Sequence, residues 1–255
     1  MTQQTYRHGH FVWHELITTD GAGAEKFYAE LLGWTFRHTV ISGNRLYRLI
    51  DANGREQGGM FEMSPQEGIP AHWCGYVSVP DVDEAIKLAK QHGGKVPCEP
   101  IDVPHVGRFA SVLDPEGAGF TVYRDAHGDT PAPEMPGPGD FCWDSLTAHD
   151  GERALAFYSA VVGWKRGNFG DAPGLFFATS SGDTIADVDS PRGDSPSFWT
   201  THVVVAGLSE SRTKAENLGA KIIVAEIKVP NVGQMAIISD PWGAVISLFE
   251  PQVPG

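Results

Sequence analysis

Two side chains in this sequence are suited to moving a proton, Glu15 and His202. Glu15 lies two residues after Trp13, so in an extended strand both side chains point to the same face. A carboxyl group buried beside an indole ring has a raised pKa and could act as a general base. His202 is the candidate acid or base in the second half of the chain, because imidazole changes charge near neutral pH. Each residue also has a purely structural reading, Glu15 as a solvated strand residue and His202 as a satisfied strand histidine.

The stretch that contains Trp13 has a similar counterpart in the second half of the sequence. Residues 9–34 align without a gap with residues 139–164, at an offset of 130 and with 11 identities in 26 positions. Residues 72–124 align with residues 198–250 at an offset of 126, with 17 identities in 53 positions. A repeat of this length indicates an internal duplication.

The duplication predicts a first domain over residues 1–124 and a second over residues 139–255. Residues 125–138 are the expected linker, because the stretch "DAHGDTPAPEMPGP" is rich in proline and glycine and disfavours both helix and central strand. Trp143 is the counterpart of Trp13, whereas the counterpart of Glu15 is Ser145. The two halves are therefore not chemically equivalent.

Each half repeats a smaller unit of strand, helix and three strands. In the first quarter the strand "FVWHELITT" ends at Asp20, a natural N-cap, and the helix "AGAEKFYAELLG" stops at Gly33. Strand candidates follow in "WTFRHTV", "RLYRLI" and "EQGGMFEM", and in the second quarter in "KVPCE", "RFASVLD" and "GFTVYRD". The pattern predicts an α+β fold of four βαβββ modules, in which helices cover one sheet face and the other face lines a cavity.

Composition limits the classes of partner. The formal charge is −13, from 32 acidic and 19 basic side chains, so a nucleic-acid backbone would be repelled. We expect no membrane partner and a cytoplasmic location, because no apolar run approaches the roughly 18 residues that span a bilayer. Three widely spaced cysteines are typical of reduced, apolar side chains. The expected partner is a small molecule, and the protein could be a monomer or a homodimer.

Two motifs carry a family resemblance. The pattern D-x-x-x-A-x-x-F-Y-x-x-x-x-G-W after the first strand and D-P-x-G before the last resemble the vicinal oxygen chelate superfamily, also called the glyoxalase/bleomycin-resistance/dioxygenase family. The resemblance covers nearly the whole chain and is closest to two-domain, glyoxalase-like proteins of actinobacteria. It implies two cup-shaped domains and, in metal-dependent members, a divalent ion held by a first-strand His and a last-strand Glu.

The metal positions implied by the resemblance hold other residues here. Trp13 and Trp143 stand where the His would be, and Thr121 and Ser247 stand where the Glu would be. Indole and hydroxyl groups do not replace imidazole and carboxylate as ligands of zinc, nickel, iron or manganese. We therefore expect no cofactor and no family metal site. Binding of a divalent metal through other ligands remains open; the candidates are His14, Glu15, Glu62 and His72.

The register of the family implies which side chains line the two cups. Glu15 and His202 are the catalytic candidates. The ligand-binding candidates are Trp13, Tyr76, Thr121, Tyr123, Trp143, Ser145, Ser247 and Phe249. Each of these could also be ordinary packing, and the two tryptophans could plug the cups. His14 and Asp144 would face the helices or the other domain, and a contact between domains is the first expectation.

Three functions follow as alternatives. The favoured one is a protein that binds or processes a small molecule in an aromatic-lined cup without the family metal. The second is a metal-dependent glyoxalase-type lyase or isomerase, or a dioxygenase, acting on a small dicarbonyl or aromatic substrate. The third is a scaffold with plugged cups. Whether the protein is an enzyme is left open by the sequence.

Overall fold

The structure is a computed structural model that describes residues 5–252, with the side chain of Ser42 excepted. Four modules follow one another, and each consists of a strand, a helix and three strands. Module 1 contains β1 (Phe11–Thr18), α1 (Gly21–Leu32), β2 (Thr35–Ile41), β3 (Arg45–Ala52) and β4 (Arg55–Glu62). Module 2 contains β5 (His72–Ser78), α2 (Val82–Gln91), β6 (Ile101–Val103), β7 (Gly107–Leu113) and β8 (Gly119–Asp125).

The second half repeats the arrangement. Module 3 contains β9 (Phe141–Thr147), α3 (Gly151–Val162), β10 (Lys165–Gly167), β11 (Leu175–Ala178) and β12 (Thr184–Asp189). Module 4 contains β13 (Phe198–Val204), α4 (Leu208–Asn217), β14 (Lys221–Val229), β15 (Gly233–Ser239) and β16 (Val245–Pro251). The α+β class and the four βαβββ modules are thus confirmed.

The strands form two mixed sheets of eight. Their orders are β2-β3-β4-β1-β5-β8-β7-β6 and β10-β11-β12-β9-β13-β16-β15-β14. In each module the first strand pairs in parallel with the last, as β1 does with β4, and the remaining pairs are antiparallel. The parallel pair is possible because the module's helix carries the chain back across the sheet.

Local signals set the helix boundaries. Asp20 accepts a hydrogen bond from the Gly23 amide at the start of α1, and Gly33 ends that helix with a φ of 74°. Such a left-handed conformation is cheap only for glycine, which explains the stop. Helix α4 has no side-chain cap of its own at Gly207. The carboxylate of Glu250 accepts a hydrogen bond from the Leu208 amide instead, at 2.8 Å.

One predicted strand is wrong. Residues 95–99, "KVPCE", form only a single bridge between Lys95 and Leu113, and the second strand of module 2 is β6. Pro97 has no amide hydrogen and cannot contribute to a ladder of hydrogen bonds. The strand therefore forms beyond the proline.

The chain divides into two compact units. Unit 1 comprises the described residues of 1–13 together with 74–132 and 144–199. Unit 2 comprises residues 14–73 and 133–143 together with the described residues of 200–255. Each compact unit therefore combines a module of the first repeat with a module of the second, an arrangement that the sequence left open. Among the described residues, no helix is long and apolar enough to cross a membrane.

The core of unit 2 lies on one face of its strands. Leu16, Ile50 and Met60 of module 1 and Val203 and Leu248 of module 4 are fully buried there. In each module, we call the face of the strands that points away from the core the non-core face. Its residues alternate with the buried ones along each strand, as the pleat requires, and most of its apolar side chains in unit 2 are partly exposed.

Candidate functional site

The non-core face of module 4 places two predicted site residues side by side. His202 on β13 pairs with Ser247 on β16 in parallel register, so their side chains lie on one face. His202 is 5% exposed and Ser247 is 0% exposed. No described residue provides the Ser247 hydroxyl with a hydrogen-bond partner. Leaving a buried hydroxyl unpaired costs about 1–3 kcal/mol, so such a group is normally satisfied by an ordered water or by an atom of a ligand.

The surroundings of Ser247 are apolar and partly exposed. Ile237 is its antiparallel partner on β15, and Met235 pairs with Phe249 in the next row of the same face. All three apolar side chains are partly exposed. The face therefore combines an apolar surface with the polar groups of two buried residues, the composition typical of a small-molecule site.

Module 2 places three predicted site residues on its non-core face, and Cys74 lies beside them. The polar groups of these side chains already have partners within the protein. Tyr76 pairs in register with Thr121, whose hydroxyl lies 3.3 Å from the Cys74 thiol. The Tyr123 hydroxyl donates to Asp125 at 2.6 Å and lies 2.9 Å from the Val106 carbonyl oxygen. Burial and the neighbouring Asp125 carboxylate raise the Tyr123 pKa well above its usual range. Tyr123 is therefore a neutral donor at every physiological pH.

The rings of module 2 also pack on one another. The Tyr76 and Tyr123 centroids are 5.9 Å apart in an edge-to-face arrangement, and Phe109 lies 5.8 Å from Tyr76. Tyr76 is 8% exposed and Tyr123 is 9% exposed. This favours the packing alternative for the two tyrosines over a role in ligand binding.

In module 1, Glu15 has a partner that the sequence did not predict. The Tyr47 hydroxyl donates to a Glu15 carboxylate oxygen at 2.9 Å. Glu15 pairs in register with Gly59 of β4, and Tyr47 reaches it from β3 on the far side of that strand. Both side chains are partly exposed. The two adjacent glycines of "EQGGMFEM" were the sequence signal for a close approach at this point.

In module 3, the predicted residue Ser145 also binds a carboxylate. Its hydroxyl donates to Asp187 at 2.6 Å, and the two residues pair in register between β9 and β12. Sequence reasoning did not single out Asp187. A strand of alternating polarity, "TIADVD", was its only signal.

The repeated tryptophans remain candidates. Trp13 and Trp143 are partly exposed, and neither belongs to the two core clusters formed by the described residues. Phe11, expected on the same face as Trp13, packs instead against the core rings of Trp164 and Trp199, with centroids 5.7 and 5.3 Å away. Strict alternation therefore does not extend to the first residue of β1.

The structure also shows where His14 and the two catalytic candidates lie. His14 stacks on Phe141 of the second repeat at 4.2 Å, which confirms the expected contact between repeats. Glu15 and His202, the two catalytic candidates, lie in different sheets. They therefore belong to separate candidate sites.

The residues at the expected metal positions do not fit the divalent-metal site of the family that the sequence resembles. Over the part of the chain that the structure describes, no group of three or more His, Cys, Asp or Glu side chains is placed to hold a metal ion. Thr121 is engaged with Cys74, and Ser247 offers only a neutral hydroxyl. Glu62, a candidate ligand, instead accepts the Gly21 amide at 3.0 Å.

Comparisons with known proteins agree with this fold. Residues 7–122 match the family model of the Glyoxalase/Bleomycin resistance protein/Dioxygenase superfamily. A protein of Mycobacterium tuberculosis (strain CDC 1551 / Oshkosh), named "Putative glyoxylase CFP32", is 31% identical over 252 residues, which is 96% of this chain and 96% of that protein. The anthracycline biosynthesis protein DauV of Streptomyces sp. (strain C5) is 28% identical over 264 residues, 93% of this chain and 92% of its own.

A solved structure shows the same fold at low identity. The Mn(II)-bound glyoxalase from Novosphingobium aromaticivorans superimposes with a TM-score of 0.64 at 14% identity, covering 96% of this chain and 82% of that one. The βαβββ modules, the two motifs and a relative of 31% identity over nearly the full length agree. The chain belongs to the glyoxalase/bleomycin resistance protein/dioxygenase superfamily.

Proposed function

We propose that the protein binds a planar aromatic small molecule on the non-core face of module 4, with the Ser247 hydroxyl hydrogen-bonded to an oxygen of the ligand. The observation that carries the proposal is the Ser247 hydroxyl, which is buried without a described partner and which a ligand reaches when the partly exposed side chains around it move aside. A hydroxyl both donates and accepts, so it fits either a carbonyl or a phenolic oxygen.

The neighbouring side chains define the rest of the ligand. Phe249, Met235 and Ile237 are partly exposed around Ser247. Flat apolar and sulfur-containing surfaces favour an aromatic ring, which stacks on phenyl groups and contacts thioethers favourably. Trp143, also partly exposed, is our candidate for a second stacking surface. The relative named as an anthracycline biosynthesis protein supports a fused-ring ligand.

His202 is the candidate for chemistry at this site. His202 pairs with Ser247 in the parallel register of β13 and β16, and it is 5% exposed. It can donate a hydrogen bond to the ligand oxygen or exchange a proton with it. The remaining predicted ligand residues, Trp13, Tyr76, Thr121, Tyr123 and Ser145, are secondary in this proposal. A cytoplasmic location and a monomeric or homodimeric state remain predictions.

The test exploits opposite effects of one substitution. Ser247→Ala removes an unsatisfied buried hydroxyl, so we expect the unfolding free energy of the ligand-free protein to rise by about 1 kcal/mol. The same change removes a ligand hydrogen bond, so affinity for the probe 1,4-dihydroxyanthraquinone should fall about tenfold. Tryptophan fluorescence quenching measures the affinity, and urea denaturation measures the stability.

The control is Ser209→Ala, at an exposed serine of α4. It should change neither quantity. Loss of stability in Ser247→Ala with unchanged probe affinity would refute the proposal, and so would a wild-type protein that shows no saturable probe binding.

A glyoxalase-type lyase is the second candidate, because the relative at 31% identity carries a glyoxylase name. Turnover of a small dicarbonyl, such as the hemithioacetal of methylglyoxal and a thiol, together with one bound divalent ion per chain, would support it. Turnover that persists in Trp143→Ala and Ser247→Ala would place that activity away from the site proposed around these two residues.

A further inference from the structure

Residues 5–10 precede β1 and are held in place by the segment that follows β8. The Asp129 amide donates to the Thr5 carbonyl oxygen at 2.9 Å. The Asp129 carboxylate accepts a hydrogen bond from the Arg7 amide at 2.6 Å. We call residues 5–10 the N-terminal arm. The arm and the segment that holds it both belong to unit 1.

A chain of hydrogen bonds joins the arm to β5 and β8. Arg124 Nη1 lies 3.3 Å from His8 Nε2, and His8 Nδ1 lies 3.3 Å from Ser78 Oγ. Ser78 Oγ donates to Asp129 Oδ2 at 2.6 Å. A guanidinium group has only donors, so neutral His8 accepts at Nε2 and donates at Nδ1. The chain is therefore complete only while His8 is neutral.

Arg124 also holds a second side chain of the arm. Its guanidinium carbon lies 3.3 Å from the centre of the Tyr6 ring, a cation–π contact. The Tyr6 ring in turn stacks on the His8 imidazole, with centroids 5.5 Å apart and planes 9° from parallel. Displacement of Arg124 would therefore loosen both side chains together.

The arm covers buried polar groups that would gain from contact with water. Ser78 is 0% exposed and pairs in register with Tyr123 of β8, next to the row of Tyr76. Asp129 is 8% exposed, and its Oδ1 atom has no hydrogen-bond partner among the described residues. A buried carboxylate oxygen without a partner costs free energy, which opening of the arm would relieve.

The charges around His8 oppose its protonation while the arm is closed. Burial lowers the His8 pKa and the Arg124 charge lowers it further, whereas the Asp129 charge raises it. The other titratable side chains of the arm and of β8 in this region are Tyr6, Arg7, His10, Tyr123 and Asp125. His8 is partly exposed, so a proton from solvent reaches it. The closed arm is fully favoured above 6.5 and loses stability as the pH falls through the lowered His8 pKa.

We propose that the N-terminal arm is a pH-sensitive latch, which closes over Ser78 and Asp129 while His8 is neutral and opens when His8 takes up a proton. Protonation removes the acceptor at Nε2 and places a second positive charge beside Arg124. Arg124 then releases His8 and Tyr6 together. Opening gives solvent access to Ser78, at the end of the non-core face of module 2. The latch does not depend on the proposed module 4 site, because Ser247 belongs to unit 2.

Hydrogen–deuterium exchange, measured by mass spectrometry on protein without an N-terminal tag, tests the latch. Rates at pH 7.5 and 5.5 are corrected for the pH dependence of exchange in an unstructured chain. We expect the protection of the arm, including the Arg7 amide, to fall about threefold to tenfold at pH 5.5. The amides of β5 and β8 should keep their protection, because only the arm opens.

Two substitutions act on the latch, and a third is the control. His8→Gln should give the arm equal protection at both pH values, because glutamine does not titrate. Arg124→Gln keeps a donor but removes the repelling charge, so the fall in protection should shrink by at least half. The control His92→Gln removes an exposed imidazole at the end of α2 and should keep the wild-type fall.

An NMR titration of the His8 ring supplies a second readout. Its midpoint should lie below 6.5 in the wild type and move towards 6.5 in Arg124→Gln. Urea denaturation at pH 7.5 checks that each variant folds.

Three results would overturn the latch. The first is equal protection of the wild-type arm at both pH values, and the second is a fall that persists unchanged in His8→Gln. The third is a parallel loss of protection in β5 and β8, which would show that acid unfolds the whole unit rather than the arm.

Discussion

Tyr28 donates its hydroxyl hydrogen to Asp240 at 3.0 Å, although 212 residues separate them in the chain. The Trp73 indole donates to the same hydroxyl at 3.0 Å. The other unit repeats the arrangement with Tyr158, whose partners are Asp114 at 3.1 Å and Trp199 at 2.8 Å. The F-Y and D-P-x-G motifs thus meet in a buried hydrogen-bonded group in each unit, which explains why both are written twice.

Removal of the Tyr28 hydroxyl should be costly. Tyr28→Phe leaves the buried Asp240 carboxylate and the Trp73 indole each without one partner, so we expect a loss of about 1–3 kcal/mol in unfolding free energy. Urea denaturation measures it. Tyr158→Phe should lose a similar amount, and losses below about 0.5 kcal/mol in both variants would contradict a stabilising role.

Acidification should destabilise the protein through two N-terminal histidines. Burial lowers the pKa of His8, and the Arg124 charge lowers it further; burial and then Arg7 do the same for His10. The unfolded chain therefore takes up protons first as the pH falls through 6.5, and the folded state loses stability from there down to the lowered folded pKa values. His8→Gln/His10→Gln should show a smaller fall in urea midpoint between pH 7.5 and 5.5. An unchanged fall would refute this.

Glu250 should act as the missing cap of α4. Its carboxylate accepts the Leu208 amide and the Gln234 side chain, both at 2.8 Å, and these bonds lower the Glu250 pKa. The stabilisation is complete above the unfolded value of 4.5 and is lost as the pH falls through the lowered folded value. Glu250→Gln should cost about 0.5–2 kcal/mol at pH 7.

The control for the α4 cap is Glu216→Gln, at an exposed position on the same helix. We expect it to change stability by less than about 0.5 kcal/mol. Equal effects of the two substitutions at pH 7 would show that net charge, rather than the cap, is responsible.

Chelation should leave the protein unchanged. Trp13, Trp143, Thr121 and Ser247 do not provide divalent-metal ligands at the family positions. We therefore expect treatment with EDTA to leave the thermal midpoint within about 1 °C, because no binding energy is linked to folding. Elemental analysis of tag-free protein is the companion measurement. About one divalent ion per chain, with a lowered midpoint after chelation, would contradict the prediction.

Much of the fold could be predicted because its signals are local. Asp20 and Gly33 bound α1 through a side-chain hydrogen bond and a left-handed φ, and neither depends on distant residues. Hydrophobic spacing and the repeat predicted four βαβββ modules in the right order. The strand predicted over residues 95–99 failed because Pro97 opposes strand pairing at that point.

By itself the sequence determined the modules, their caps and the substitution of the family's metal ligands, since each follows from residue type and short spacing. Only the tertiary structure decided which modules share a core, that Ser247 is buried without a described partner, and that Tyr47 crosses Gly59 to reach Glu15. These relationships join segments that are distant along the chain. These relationships depend on burial and on cross-strand register, and neither can be predicted from the spacing of residues along the chain.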